Sequence, residues 1–303
     1  MKALVIGYGS IGSRHSRILK ELGCQVAVVT ARKVPVTPHF ETIVEATLAF
    51  VPDYIVIATE TARHMEAVAE LSDIGFRGTL LVEKPLSHRV CDIGTTAFHG
   101  SFVAYNLRFH PIFQRLHELL ITKKILSVQA YVGQYLPSWR PERDYRTVYS
   151  ANKHAGGGVL RDLSHELDLL NWLLGGWLKL TALGGLFSNL EISSDDVFSI
   201  LMSTARCPVV TVQMNYLDRI GQRRIVVNTE EQTIVADFIA GHILVNDVLE
   251  EFNIDRDHSY REMHRTLING SRQDVCTLRE GLEVLQMIAA AEKAVEEERW
   301  IVR

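Results

Sequence analysis

Gly7-Tyr8-Gly9-Ser10-Ile11-Gly12 follows the apolar run 2–6 and opens a helix-patterned stretch over 11–22. In that setting the first glycine permits a tight turn and the second lets a pyrophosphate approach the main chain. The third lets helix and strand pack closely. Ser10 and Ile11 fall in the first turn, where a helix offers free N–H groups and the positive end of its dipole. The implied chemistry is dinucleotide binding; a tight turn with incidental glycines is the bland alternative. An NAD-binding strand would carry a carboxylate for the ribose 2′-hydroxyl, yet none lies between Glu21 and Glu41. Thr30, Arg32 and Lys33 stand there instead, and a hydroxyl with two cations suits a 2′-phosphate. NADP is therefore expected ahead of NAD, unless Arg32 and Lys33 are only solvated loop charges.

Glu83-Lys84-Pro85 closes the apolar run 79–82, at the strand edge that faces the ligand crevice in open α/β sheets. A lysine there can hold a substrate hydroxyl and ease its proton loss while the adjacent carbon gives up a hydride; otherwise it caps a strand in solvent. Pro85 fixes the chain direction, and the Lys84–Pro85 bond is a candidate cis peptide. Further on, Asp162, His165 and Leu169 share one face of a helix expected over 161–174. A histidine near neutrality can exchange a proton with an alcohol that becomes a ketone, and the aspartate can orient its ring. Asp168 either supports His165 or meets solvent. Gly156, Gly157 and Gly158 leave the preceding backbone able to approach a ligand. The alternative, a helix-capping aspartate and a satisfied histidine, loses ground once Lys84 and the glycine loop are weighed with it.

The elements that must hold these groups read as two domains, 1–120 and 121–303. Strands are expected at 2–6, 25–30, 54–58, 79–82 and 102–105, and helices at 11–22, 41–50, 62–74 and 91–98. This alternation implies a doubly wound parallel sheet. The second half has strand runs at 178–187, 197–204, 208–217, 223–229, 232–239 and 242–248, expected to form an antiparallel meander, and a closing helix at 278–298. That half is α+β.

GYGSIG, the run Ile57-Ala58-Thr59-Glu60-Thr61 with His64, and Glu83-Lys84-Pro85 resemble the glucose–fructose oxidoreductase / inositol dehydrogenase / MocA (Gfo/Idh/MocA) family in order and spacing. The glycine run at 156–158 leading into Asp162-Leu163-Ser164-His165-Glu166-Leu167-Asp168 extends the resemblance. It implies a Rossmann domain followed by a domain built on an open, mostly antiparallel sheet, with nicotinamide and substrate in the cleft. Carried across, Lys84 and His165 flank the oxidised carbon, with Asp162 as a third member. Thr59, His64, Glu83 and Lys84 join the glycine loop in holding the cofactor. Many members separate the aspartate and histidine by three residues, whereas two stand between Asp162 and His165. The implied activity is hydride transfer between nicotinamide and a secondary alcohol or ketone of a sugar or derivative. A dinucleotide-binding sensor, or a sugar hydrolase or lyase using NAD without net redox change, are the rival readings.

Residues 131–149, YVGQYLPSWRPERDYRTVY, hold five aromatics and three arginines, preceded by Asn106 and Arg108. Trp139, Arg140, Tyr145 and Arg146, with Asn106 and Arg108, suit a polyhydroxylated or anionic ligand, or else an arm packing on a neighbouring subunit. With the Asp-Leu-Ser-His-Glu-Leu-Asp variant, the segment resembles a subgroup associated with bacterial surface-sugar synthesis. That implies an amino- or nucleotide-sugar. The charge of −4, from 32 basic and 36 acidic residues, argues against a nucleic-acid binder. Cys24, Cys91, Cys207 and Cys276 are too far apart in sequence for a zinc motif and read as thiols of a reducing compartment. No run reaches membrane-span length and the N-terminal apolar run is too short for a signal peptide, so a cytoplasmic homodimer or homotetramer, joined through the open sheet face, is expected. No metal motif is present; Asp195-Asp196 reads as a turn, and His258 and His264 as solvent-facing.

Overall fold

Lys2–Ile6, Gln25–Val29, Tyr54–Ile57 and Thr79–Val82 are apolar throughout except at a leading residue, and their side chains are buried beyond it. Strands buried on both faces demand helical cover on both sides, which parallel strands with crossover helices supply. The computed structural model, describing residues 1–93 and 98–303, builds that arrangement. The strands lie in the order Cys276–Thr277, Gly100–Val103, Thr79–Val82, Tyr54–Ile57, Lys2–Ile6, Gln25–Val29, His39–Phe40. All pair in parallel except Cys276–Thr277, and the register sets Ala3 beside Tyr54 and Ile6 beside Ile57. Ser10–Glu21, Ile43–Phe50 and His64–Asp73 are the connecting helices. The helix expected at 91–98 lies in part outside the described residues.

The chain forms two units, 1–109 with 255–282, and 110–254 with 283–303. A single division after residue 120 is thereby corrected twice. Pro111–Leu120 presents Ile112, Phe113, Leu116 and Leu120, all fully buried, and packs on the strands Thr233–Asp237 and His242–Val245 of the second unit. His258–Ile268 returns to the first, where Met263 and Leu267 complete the core around Val5, Leu19, Val56 and Leu81. His264 on that helix is fully buried, so its expected solvent position does not hold; one apolar stripe carries both it and Met263 inward.

The second unit is a nine-stranded sheet in which strands such as Val197–Thr204 and Val209–Asn215 alternate buried and open residues, as one covered face requires. Its centre is Ile125–Gly133, a strand the periodicity reading leaves out. This strand pairs antiparallel with Gln222–Thr229 but parallel with Val209–Asn215, so the unit is not a pure meander. Among the described residues no helix is long and apolar enough to cross a membrane.

Candidate functional site

In the first unit, Gly7 adopts φ +95°, and a Cβ on Gly12 would lie 2.1 Å from the Gly7 carbonyl oxygen. Both positions therefore require glycine. At Gly9 a Cβ would meet nothing within 4 Å, and no side chain caps the helix that begins at Ser10. Open space before uncapped N–H groups is what a pyrophosphate needs, and the loop fits a dinucleotide on that ground. Thr30 accepts from the Arg32 amide at 3.2 Å, while Arg32 and Lys33 are exposed and pair with no carboxylate among the described residues.

The Lys84–Pro85 bond is cis, and the turn around it is braced from two directions. His64, 1% exposed, places Nδ1 3.1 Å from the Pro85 carbonyl and Nε2 3.3 Å from that of Thr59. It ties the two loops together and is not open to a ligand. Burial holds its imidazole below the ordinary histidine pKa. Glu83, 6% exposed, accepts from the Lys84 amide at 3.0 Å and from His15 Nε2 at 2.8 Å. His15 Nδ1 lies 2.7 Å from His264 Nε2, and His264 Nδ1 lies 2.8 Å from the Tyr54 hydroxyl. The alignment of His15, His264 and Tyr54 is not readable from the sequence, because each sits on a different element and only the fold brings them together. Burial pushes the His264 imidazole well down and the Tyr54 phenol well up. Asn106, at the start of a short helical turn, donates to Ser259 at 2.6 Å, and Arg108, 2% exposed, meets Glu280 at 3.0 Å. Both make interior contacts within this unit.

In the second unit the expected 161–174 helix is two helices, Val159–Asp162 and His165–Leu173, with Leu163 and Ser164 between them in tightened turns. Asp162 and His165 are therefore not one turn apart on a continuous helix. The Asp162 carboxylate accepts from the hydroxyls of Tyr149 and, at 2.6 Å, Tyr216. Burial and that negative neighbour push both phenols well above their usual range. Trp139 stands edge-on to Tyr216, ring centroids 5.2 Å apart. His165 begins the second helix and is 9% exposed; Asp168 is fully buried, which removes its solvent alternative.

Packing alone requires glycine at Gly157 and Gly158. A Cβ would lie 2.2 Å from the Tyr149 carbonyl oxygen at the first and 2.3 Å from an Asp195 carboxylate oxygen at the second. Asp195 itself accepts from the Leu160 amide at 3.1 Å, and the buried Asp196 accepts from the Phe187 and Ser188 amides, so this pair anchors the surrounding backbone. Arg146 is bound to Asp144 and Glu191, and the Tyr145 hydroxyl accepts from the Glu191 amide. Arg140 is exposed, and its charge acts on the Tyr149 phenol. Among the described residues no group of three or more His, Cys, Asp or Glu is placed to hold a metal ion.

Residues 113–235 match the model of the GFO/IDH/MocA C-terminal domain. No curated protein matches the chain by sequence. Among solved structures, GenD2 from gentamicin A biosynthesis, in complex with NAD, aligns with a TM-score of 0.82 at 21% identity, covering 100% of this chain and 96% of that one. The WlbA dehydrogenase of Bordetella pertussis, in complex with NADH and UDP-GlcNAcA, aligns with a TM-score of 0.79 at 17% identity, over 100% and 98%. A putative myo-inositol dehydrogenase of Sinorhizobium meliloti gives 0.74 at 19%, over 100% and 99%. Identities this low establish likeness of fold, whereas the domain match is one of sequence. Residues 113–235 thus resemble the GFO/IDH/MocA C-terminal domain in sequence, and the whole chain shares the fold of these solved structures.

Proposed function

We propose that the chain is a nicotinamide-dependent oxidoreductase that interconverts a secondary alcohol and a ketone on a sugar or sugar derivative. The observation that carries this reading is the open approach at Gly9, before an uncapped helix, in a unit that also presents the braced Glu83-Lys84-Pro85 turn. The nicotinamide, when bound, supplies the hydride acceptor or donor. Lys84 holds the reacting oxygen and steadies its charge as the carbon is oxidised. His165 takes the hydroxyl proton, and returns it in the reductive direction. Asp162 holds the Tyr149 and Tyr216 hydroxyls together within the second unit.

NADP is favoured over NAD because Arg32 and Lys33 are exposed and unpaired among the described residues. GenD2 and the WlbA dehydrogenase were captured with NAD and NADH, so this preference rests on the present chain's own loop. Trp139 and Arg140, beside the Tyr149–Tyr216 pair, are assigned to the substrate, and an amino- or nucleotide-sugar suits them. The solved relative holding UDP-GlcNAcA supports that class. A cytoplasmic homodimer or homotetramer is proposed from the exposed face of the second sheet, where Leu183, Leu201 and Val209 stand open at 78%, 39% and 47%. Turnover of reduced or oxidised nicotinamide across a panel of free, amino- and nucleotide-sugars tests the reading. It stands if a sugar derivative is turned over by the wild type and not by Lys84→Ala or His165→Ala, and it falls if both variants keep full activity.

A further inference from the structure

The first unit contains a line of four polar side chains running from Tyr54 through His264 and His15 to Glu83, with successive contacts of 2.8, 2.7 and 2.8 Å. Tyr54 and both imidazoles are at most 1% exposed. The proton order along this line follows from its ends. Tyr54 is the terminal donor: its hydroxyl has one partner among the described residues, His264 Nδ1, so its proton goes there. A neutral His264 that accepts at Nδ1 carries its own proton on Nε2, and donates it to His15 Nδ1. His15 must then bear its proton on Nε2, which faces the carboxylate at the other end. Each imidazole donates one hydrogen bond and accepts one, and the carboxylate is left with its second oxygen for the Lys84 amide at 3.0 Å.

We infer that His15 and His264 are positioning residues for Lys84: a one-way chain of hydrogen bonds from Tyr54 holds the Glu83 carboxylate, and through it the Lys84 main chain, in one place. The step from this positioning to turnover rests on the functional reading above; the step from Tyr54 to the Lys84 amide does not. A buried chain whose every donor has an acceptor resists rearrangement, because any turned ring leaves a buried polar atom unpaired. Other ionisable groups around it are Tyr260, whose ring is edge-on to His15 at 5.5 Å, Arg14 over that ring, Asp257 bound to Arg14, Cys24 near Tyr54, and the buried His64, which feels the Glu83 charge.

Three readouts test the inference in the full-length protein. Nitrogen-15 spectra of the imidazoles at neutral pH should show His15 and His264 uncharged, each with its proton on Nε2. Tyr54→Phe, which removes one oxygen and keeps the ring, should speed solvent exchange of the Lys84 amide by at least about tenfold. It should also lower kcat by at least about tenfold with cofactor Kd unchanged. Because His264 Nδ1 then lacks its donor and takes up a proton more readily, the acid limb of the kcat profile should move up by about one pH unit. His15→Leu should match these effects; if it fails to fold, Tyr54→Phe decides. An Nδ1 proton or a positive charge on either ring overturns the inference. So does unaltered Lys84 amide exchange in Tyr54→Phe, or unaltered kcat where Lys84→Ala is inactive. Should Lys84→Ala keep full turnover, the functional reading falls, and the spectra and amide exchange alone decide the inference.

Discussion

Asp162 illustrates how differently one carboxylate reads alone and in its surroundings. By spacing it is a partner for His165; in the structure both its oxygens receive tyrosine hydroxyls. Asp162→Asn keeps the shape but offers one acceptor oxygen and an amide donor to two donors. The expected loss is about 1–3 kcal/mol of stability, measured by denaturant melts, with Tyr216→Phe milder. At the other end of the chemistry, Arg32→Ala with Lys33→Ala should weaken NADP by roughly tenfold or more while leaving NAD within about twofold, by fluorescence titration. Equal loss for both cofactors would assign the two cations to something other than a 2′-phosphate. The cis Lys84–Pro85 peptide and the tight glycine loop were legible in the sequence because each is a local pattern. The contacts of Asn106, Arg108 and His264 were not, since Ser259, Glu280, His15 and Tyr54 lie far away in the chain.

At the scale of elements, glycine positions separate folding from binding. Gly12→Ala places a Cβ 2.1 Å from the Gly7 carbonyl oxygen, and strain of that size costs about 1–3 kcal/mol. Gly9→Ala meets nothing within 4 Å, so it should leave the melting midpoint in place and weaken dinucleotide binding about tenfold or more. A Gly9→Ala protein that binds cofactor normally would remove the pyrophosphate from this loop. Buried parallel strands announced themselves as apolar runs, and Lys2–Ile6 and Thr79–Val82 agree residue for residue with the sequence reading. Ile125–Gly133 was missed because its polar alternates, Ser127, Gln129 and Tyr131, follow a helix and a lysine pair with no turn signal between. The broken helix at Leu163–Ser164 was also invisible, since apolar spacing continues across a tightened turn.

For the whole molecule, two separately organised units of one chain place the glycine loop and Lys84 in one and His165 in the other. Of the buried imidazoles in the first, His64 and His264 have folded pKa values below the unfolded value of 6.5. As pH falls below about 6.5 the unfolded chain binds protons that the native chain refuses, so stability decreases progressively toward acid and is fully present above that value. Thermal melts from pH 8 to 5 should show this slope, and His264→Gln should flatten it; an unchanged slope would locate the proton uptake elsewhere. The division into units was only half legible, because 255–282 rejoins the first unit through side chains that a linear reading assigns to solvent.

The central claim is that this chain moves hydride and relies on Lys84 to do so. The direct measurement is a single turnover, with stoichiometric cofactor bound to wild type and to Lys84→Ala, followed by nicotinamide absorbance as the sugar derivative is added. Reduction is expected in the wild type and, at equal cofactor occupancy, a rate at least about a hundredfold lower in the variant. Equal rates in the two proteins, or bound cofactor that never changes redox state with any sugar derivative tried, would contradict it.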